Sequence, residues 1–208
     1  MKERQDYIQD IAEMRLMMER SSKFLSLSGW AGIMAGIYAL SGAYIAWKYL
    51  DFHPGETDYS TITSGTLPSD LLKVILLATI MLIMALSTAL FLSYRKSIKR
   101  GEKIWNATAR RLLVNMAIPL IAGGLLILIF ISKGLIAFIA PFSLLFYGLA
   151  LFTAGKFTYD EVKFLGMIQM ALGLLSSCFV EYGLLIWAIG FGIVHIIYGV
   201  YIHYRYER

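Results

Sequence analysis

Few residues in this chain have the types and spacing for chemistry. There are three histidines, His53, His195 and His203, and one cysteine, Cys178. His195 lies deep inside a long apolar run and is the one titratable side chain near the middle of such a run. Cys178 also falls in an apolar run, so no intramolecular disulfide can form and a zinc ribbon is excluded. Asp51, His53, Glu56 and Asp58 are metal-ligand types, but they follow no established ligand spacing. Pro54 and Gly55 between them signal a turn, so a solvated loop is expected there. Ala154-Gly155-Lys156 lacks the earlier glycine of a phosphate-binding loop, and no His-Glu-x-x-His is present. Gly190-Phe191-Gly192 is an isolated glycine pair in an apolar run. The reading is therefore non-enzymatic, with no catalytic residue, cofactor or metal expected.

The elements that must position these residues follow from hydropathy. Of 208 residues, 58% are hydrophobic and 16% charged, and the mean hydropathy is +0.66. A soluble domain is about 45–50% apolar and about 25% charged, so the chain falls in the membrane class. A helix crosses a hydrocarbon core with about 20 apolar residues. Six segments qualify: 24–47, 71–94, 112–132, 135–155, 164–180 and 184–203. The expected fold is all-α, a polytopic bundle of six transmembrane helices (24–208) preceded by an amphipathic helix (1–23). Residues 1–23 mix both charge signs without a compact apolar core, so no cleavable signal peptide is expected. Lys133-Gly134 and Glu181-Tyr182-Gly183 are short links, and each glycine is expected to take the left-handed conformation that closes a helix. The last four helices then form two hairpins.

Orientation follows from Lys and Arg. All of the 19 basic residues except Lys48, Lys73 and Lys133 fall on the side of the N-terminus. Both termini are therefore expected in the cytoplasm. The net charge of +5 is spread along one membrane face, and nucleic acid is not an expected partner. The basic loop from Tyr94 to Arg111 anchors that orientation and could also attract anionic lipid.

Partner contacts are expected at two places. Tyr7, Ile11, Met14 and Met18 form one apolar helix face, suited to the headgroup layer, to a second copy of the chain or to a cytoplasmic protein. In the first span Gly29, Gly32, Gly36, Ala39, Ala43 and Ala46 form a stripe of small side chains. Such stripes let helix backbones approach closely in lipid, within one subunit or between two. The two hairpins also look like copies. Gly124-Leu125-Leu126, Phe130 and Gly134-Leu135 are answered at equal spacing by Gly173-Leu174-Leu175, Phe179 and Gly183-Leu184.

The interior polar groups are Asn115, Gln169 and His195, the last two on faces with Gly166, Gly173 and Ser177 and with Ala188, Gly192 and Gly199. Polar groups inside a membrane are the default functional pointers. One expectation is a scaffold or sensor-like module in which these groups join helices. The alternative is a small-molecule or lipid carrier, with a cavity between the hairpins reached by Asn115, Tyr147, Gln169, His195 and Tyr198.

Two resemblances add to this. The segment Glu19-Arg20-Ser21-Ser22-Lys23-Phe24-Leu25-Ser26-Leu27-Ser28-Gly29 resembles the start of a group of uncharacterised bacterial six-helix inner-membrane proteins, which implies no activity. Ser143 on the fourth span and His195 on the sixth resemble the layout of rhomboid proteases, which would imply an intramembrane serine hydrolase. The local sequence Ala140-Pro141-Phe142-Ser143-Leu144 lacks that family's Gly-x-Ser-Gly, and its second-span histidine and asparagine are missing too.

Overall fold

The computed structural model describes residues 28–54, 69–99 and 105–207. The N-terminal face of Tyr7, Ile11, Met14 and Met18, the loop residues Glu56 and Asp58, and residues 19–27 lie outside the described residues.

The described residues are helical, with no strand among them. We number the helices α1 (Gly29–Tyr49), α2 (Ser69–Lys99), α3 (Ala107–Ser132), α4 (Ile139–Ala154), α5 (Asp160–Cys178), α6 (Gly183–Ala188) and α7 (His195–Tyr206). A π-helical segment, Ile189–Val194, joins α6 to α7, so the three make one continuous rod. Short 3-10 turns, Ile136–Phe138 and Val180–Tyr182, precede α4 and α6. Among the described residues five stretches are long and apolar enough to cross a membrane: Gly29–Tyr49, Ser69–Lys99, Ala107–Ser132, Ile136–Ala154 and Val180–Tyr206. Helix α5 carries Asp160 and Glu161 in its first turn, with Lys163 close behind. Acidic groups there complement the positive end of the helix dipole.

Several helices run past the expected spans, and they do so through polar residues. Helix α2 continues from Tyr94 through Lys99, where Lys96 is bound to Glu207 and Arg95 and Lys99 are exposed. Helix α3 starts at Ala107, where Asn106 caps it by accepting the Ala109 N–H at 2.7 Å.

The two glycine links differ. Gly134 has φ 71° and closes α3 as expected. Gly183 has φ −53° and is already the first residue of α6, because the 3-10 turn Val180–Tyr182 makes the reversal instead. The copied glycines also sit in different surroundings. A Cβ at Gly124 would meet nothing within 4 Å, whereas one at Gly173 would lie 2.8 Å from the Leu145 nitrogen.

Close approach of glycine-bearing helices organises the packing. Along α1, a Cβ at Gly29 would lie 2.5 Å from the Gly199 carbonyl oxygen, and one at Gly36 would lie 2.6 Å from that of Gly192. Gly32 sits against Gly199 and His195. Ala39, Ala43 and Ala46 are buried further along the same helix. The glycine end of the stripe is therefore filled by the chain's own last rod, not by a second copy. Helices α4 and α5 pack in the same way, with Gly148 and Gly166 each presenting a carbonyl to the other. Leu112, Leu151, Ala154, Val162, Leu165 and Ile202 form the apolar core where α3, α4, α5 and α7 meet.

Pro119 lies inside α3 and explains a polar contact. Proline has no N–H to give to the carbonyl four residues back, that of Asn115. Thr153 on α4 points its hydroxyl at that oxygen at 3.4 Å, while bonding more closely to Ala150 at 2.9 Å. Helix α2 is the outlier of the bundle: Leu71 and Ser97, near its two ends, are its buried residues. It rests on α1, where Tyr38 and Thr88 share a hydrogen bond of 3.2 Å.

Candidate functional site

The interior polar site is built on the π-helical segment. A π turn widens the helix and shifts its hydrogen-bond register, which turns carbonyl groups toward side chains. Here the Gly190 carbonyl accepts the Gln169 amide at 2.7 Å and the His195 ring at 2.9 Å. A carbonyl can only accept, so the amide must face it with Nε2 and the imidazole must carry its proton on Nδ1. The other ring nitrogen, Nε2, then accepts from the Tyr147 hydroxyl at 3.0 Å. The 3.3 Å approach between the Gln169 amide nitrogen and His195 Nδ1 is the spacing of two donors sharing one acceptor.

These groups come from three elements. Tyr147 is on α4, Gln169 on α5, and Gly190 and His195 on the last rod. Gln169 is wholly buried and His195 is 4% exposed. Phe191 stacks on His195 at 5.7 Å and packs on Tyr147 at 4.9 Å, with Trp187 beyond it at 4.9 Å. Gly190 has to be small: a Cβ would lie 2.6 Å from Leu144 and 2.7 Å from the Gln169 oxygen. That oxygen, Oε1, is buried without a hydrogen-bond partner, as is the Ser176 hydroxyl.

Of the five interior residues expected from the sequence, the structure brings together Tyr147, Gln169 and His195. Asn115 stays on its own helix, its amide donating to the Arg111 carbonyl at 2.8 Å. Tyr198 packs against the apolar core around Leu112 and Ile202. The Ser143 hydroxyl donates to the Ala140 carbonyl at 2.8 Å. Since His195 uses both nitrogens on Gly190 and Tyr147, the hydrogen bonds of a Ser143–His195 dyad are spent elsewhere. Among the described residues no three metal-ligand side chains converge. Asp51 has φ 47°, and its carbonyl lies 3.1 Å from His53 Nδ1, a local turn.

A second polar site has no counterpart in the sequence reading. Just beyond the last span, the Glu207 carboxylate gathers three helices. Oε1 accepts the backbone N–H of Gly29 at 3.0 Å and the Lys96 ammonium at 2.9 Å, and Oε2 lies 2.9 Å from His203 Nδ1. An acid at the start of α1 also complements its dipole. The Lys96 and Glu207 side chains are only 13% and 11% exposed. Burial opposes ionisation of Glu207, but the bonds from His203, Lys96 and Gly29 outweigh it and hold its pKa down at about 2. Lys96 also lies 5.7 Å from the centre of the Tyr159 ring, and Trp30 meets His203 edge-on at 5.4 Å. Glu161 adds a neighbouring acid, accepting the Tyr206 hydroxyl at 2.9 Å. The only sequence signal for this site was His203 and Glu207 at a spacing of four.

Both sites can hold helices together through charge-assisted or buried hydrogen bonds. Comparison with protein-family models, curated proteins and solved structures returned no match.

Proposed function

We propose that this chain is a non-enzymatic bacterial inner-membrane protein, a scaffold or sensor-like module that acts through helix packing and partner binding. The observation that carries the reading is the use of the interior polar groups. The Gly190 carbonyl takes up both Gln169 and His195, and Tyr147 closes the set, so the chemistry-bearing side chains are engaged in joining helices.

The proposed topology has six spans, with α5 as the fifth and both termini in the cytoplasm. The distribution of Lys and Arg supports it. The likeness of the two hairpins remains a likeness of sequence, since equivalent glycines pack differently. Partner binding is assigned to Tyr7, Ile11, Met14 and Met18, for a second copy or a cytoplasmic protein. Cross-linking in native membranes tests this. The full chain is expected in a larger complex that deletion of residues 1–20 dissolves without changing the melting temperature of the bundle. Equal migration of the two forms overturns it.

The carrier reading is favoured by one observation, the unpartnered Gln169 oxygen. It expects water or a ligand there. Radical footprinting in native membranes that leaves Tyr147 and Phe191 unlabelled counts against it.

A further inference from the structure

Between α1 and α2, toward the end of the bundle that holds Glu207, lies an apolar groove of about 510 Å³. Trp30 and Met34 line one wall, and Ser87, Thr88, Phe91 and Leu92 the other. The groove opens sideways: Trp30 is 49% exposed and Phe91 58%.

What could fill it follows from the register of α2. Thr88, Phe91, Leu92, Arg95 and Lys99 recur at helical spacing on one face, so the apolar wall continues directly into two cations. At 1.5 Å per residue α2 is about 46 Å long, against a hydrocarbon core of about 30 Å, so its basic last turns reach the headgroup layer. Arg95 stands 5.6 Å from the centre of the Phe91 ring, at the rim of the groove. Lys96, between the two cations, is bound to Glu207. Arg95 and Lys99 are exposed.

We propose that this groove binds an anionic phospholipid, with an acyl chain against Trp30, Met34 and Phe91 and the phosphate on Arg95 and Lys99. Arginine suits the role because its planar fork meets two phosphate oxygens at once. The phosphate ties the site to the headgroup layer, and the groove gives the chain a fixed place beside it. The proposal rests on the membrane reading, not on the partner reading. Retention in carbonate-washed membranes tests that basis separately.

The test uses the full chain with Trp47→Phe, Trp105→Phe and Trp187→Phe, which leaves Trp30 as the only tryptophan. It is reconstituted into vesicles holding equal fractions of brominated phosphatidylglycerol or brominated phosphatidylcholine. Trp30 fluorescence is expected to be quenched several-fold more effectively by the anionic lipid. Arg95→Gln should weaken that preference by about five-fold, the effect of one basic residue near an anionic surface. Equal quenching by the two lipids, or an unchanged preference in Arg95→Gln, overturns the proposal. If the triple variant does not fold, native mass spectrometry of the unaltered chain from mixed micelles decides. A retained phosphatidylglycerol adduct that Arg95→Gln loses supports the proposal, and equal retention of both lipids overturns it.

Discussion

The Glu207 carboxylate accepts the backbone N–H of Gly29 at 3.0 Å, across 178 residues of sequence. One oxygen atom thereby caps the first described helix and, through Lys96, fastens the second to the last. Removing it breaks both the cap on Gly29 and the bond to the largely buried Lys96 ammonium. Glu207→Ala is expected to destabilise the protein by about 1.5–3 kcal/mol, the range for hydrogen bonds to charged groups. A thermal melt in detergent measures this, and Lys96→Met should be milder because it leaves the cap to Gly29 in place.

The same carboxylate predicts a pH dependence. Its pKa is held at about 2 in the folded protein, below the ordinary 4.5. A depressed acid stabilises the fold fully above its unfolded value and loses that contribution as pH falls through the folded value. Melting temperature should therefore fall between pH 4.5 and about 2, and Glu207→Gln should flatten that slope. An identical slope in the variant would contradict the assignment.

The glycines of the α1–α7 contact make a matched pair of experiments with Gly124. Gly199→Ala would place a Cβ 2.5 Å from the Gly29 carbonyl oxygen, so the helices must separate. Overpacking of this kind costs about 1–3 kcal/mol. Gly124→Ala meets open space and should be neutral, or stabilising by up to about 1 kcal/mol through helix propensity. Melting temperatures of the two variants, measured side by side, check the difference.

Tyr147 and His195 should be energetically coupled. Hydrogen bonds between membrane helices average about 0.6 kcal/mol and reach about 1.7. A double-mutant cycle with Tyr147→Phe and His195→Phe is expected to return a coupling in that range. Ser143→Ala, combined with His195→Phe, should return none, because the Ser143 bond ends on its own helix.

Long apolar runs made the helices legible, since each needs only length and hydropathy to be seen. Their ends were less so. Ser69–Lys99 runs past its expected limit because Arg95, Lys96 and Lys99 stay helical while their charges leave the apolar layer. Gln169 and His195 could be picked out as polar groups on glycine-lined faces, but their shared acceptor could not. Gly190 offers a carbonyl only because the rod takes a π turn at Ile189–Val194, and backbone register has no side-chain signature. Glu207 was invisible for another reason. Its partners lie 4, 111 and 178 residues away, and only the first falls within a helix turn that a sequence pattern can reveal.

The 178-residue span of the Gly29–Glu207 bond also has a consequence in time. Ribosomes add about 5–20 residues per second, so α1 emerges about 9–36 s before the carboxylate that caps it. Its row of glycines waits as long for Gly192 and Gly199. During that interval α1 can pair with α2, but its glycine face lacks the rod that fills it. The contact between the first and last described helices thus closes only after nearly the whole chain has been made.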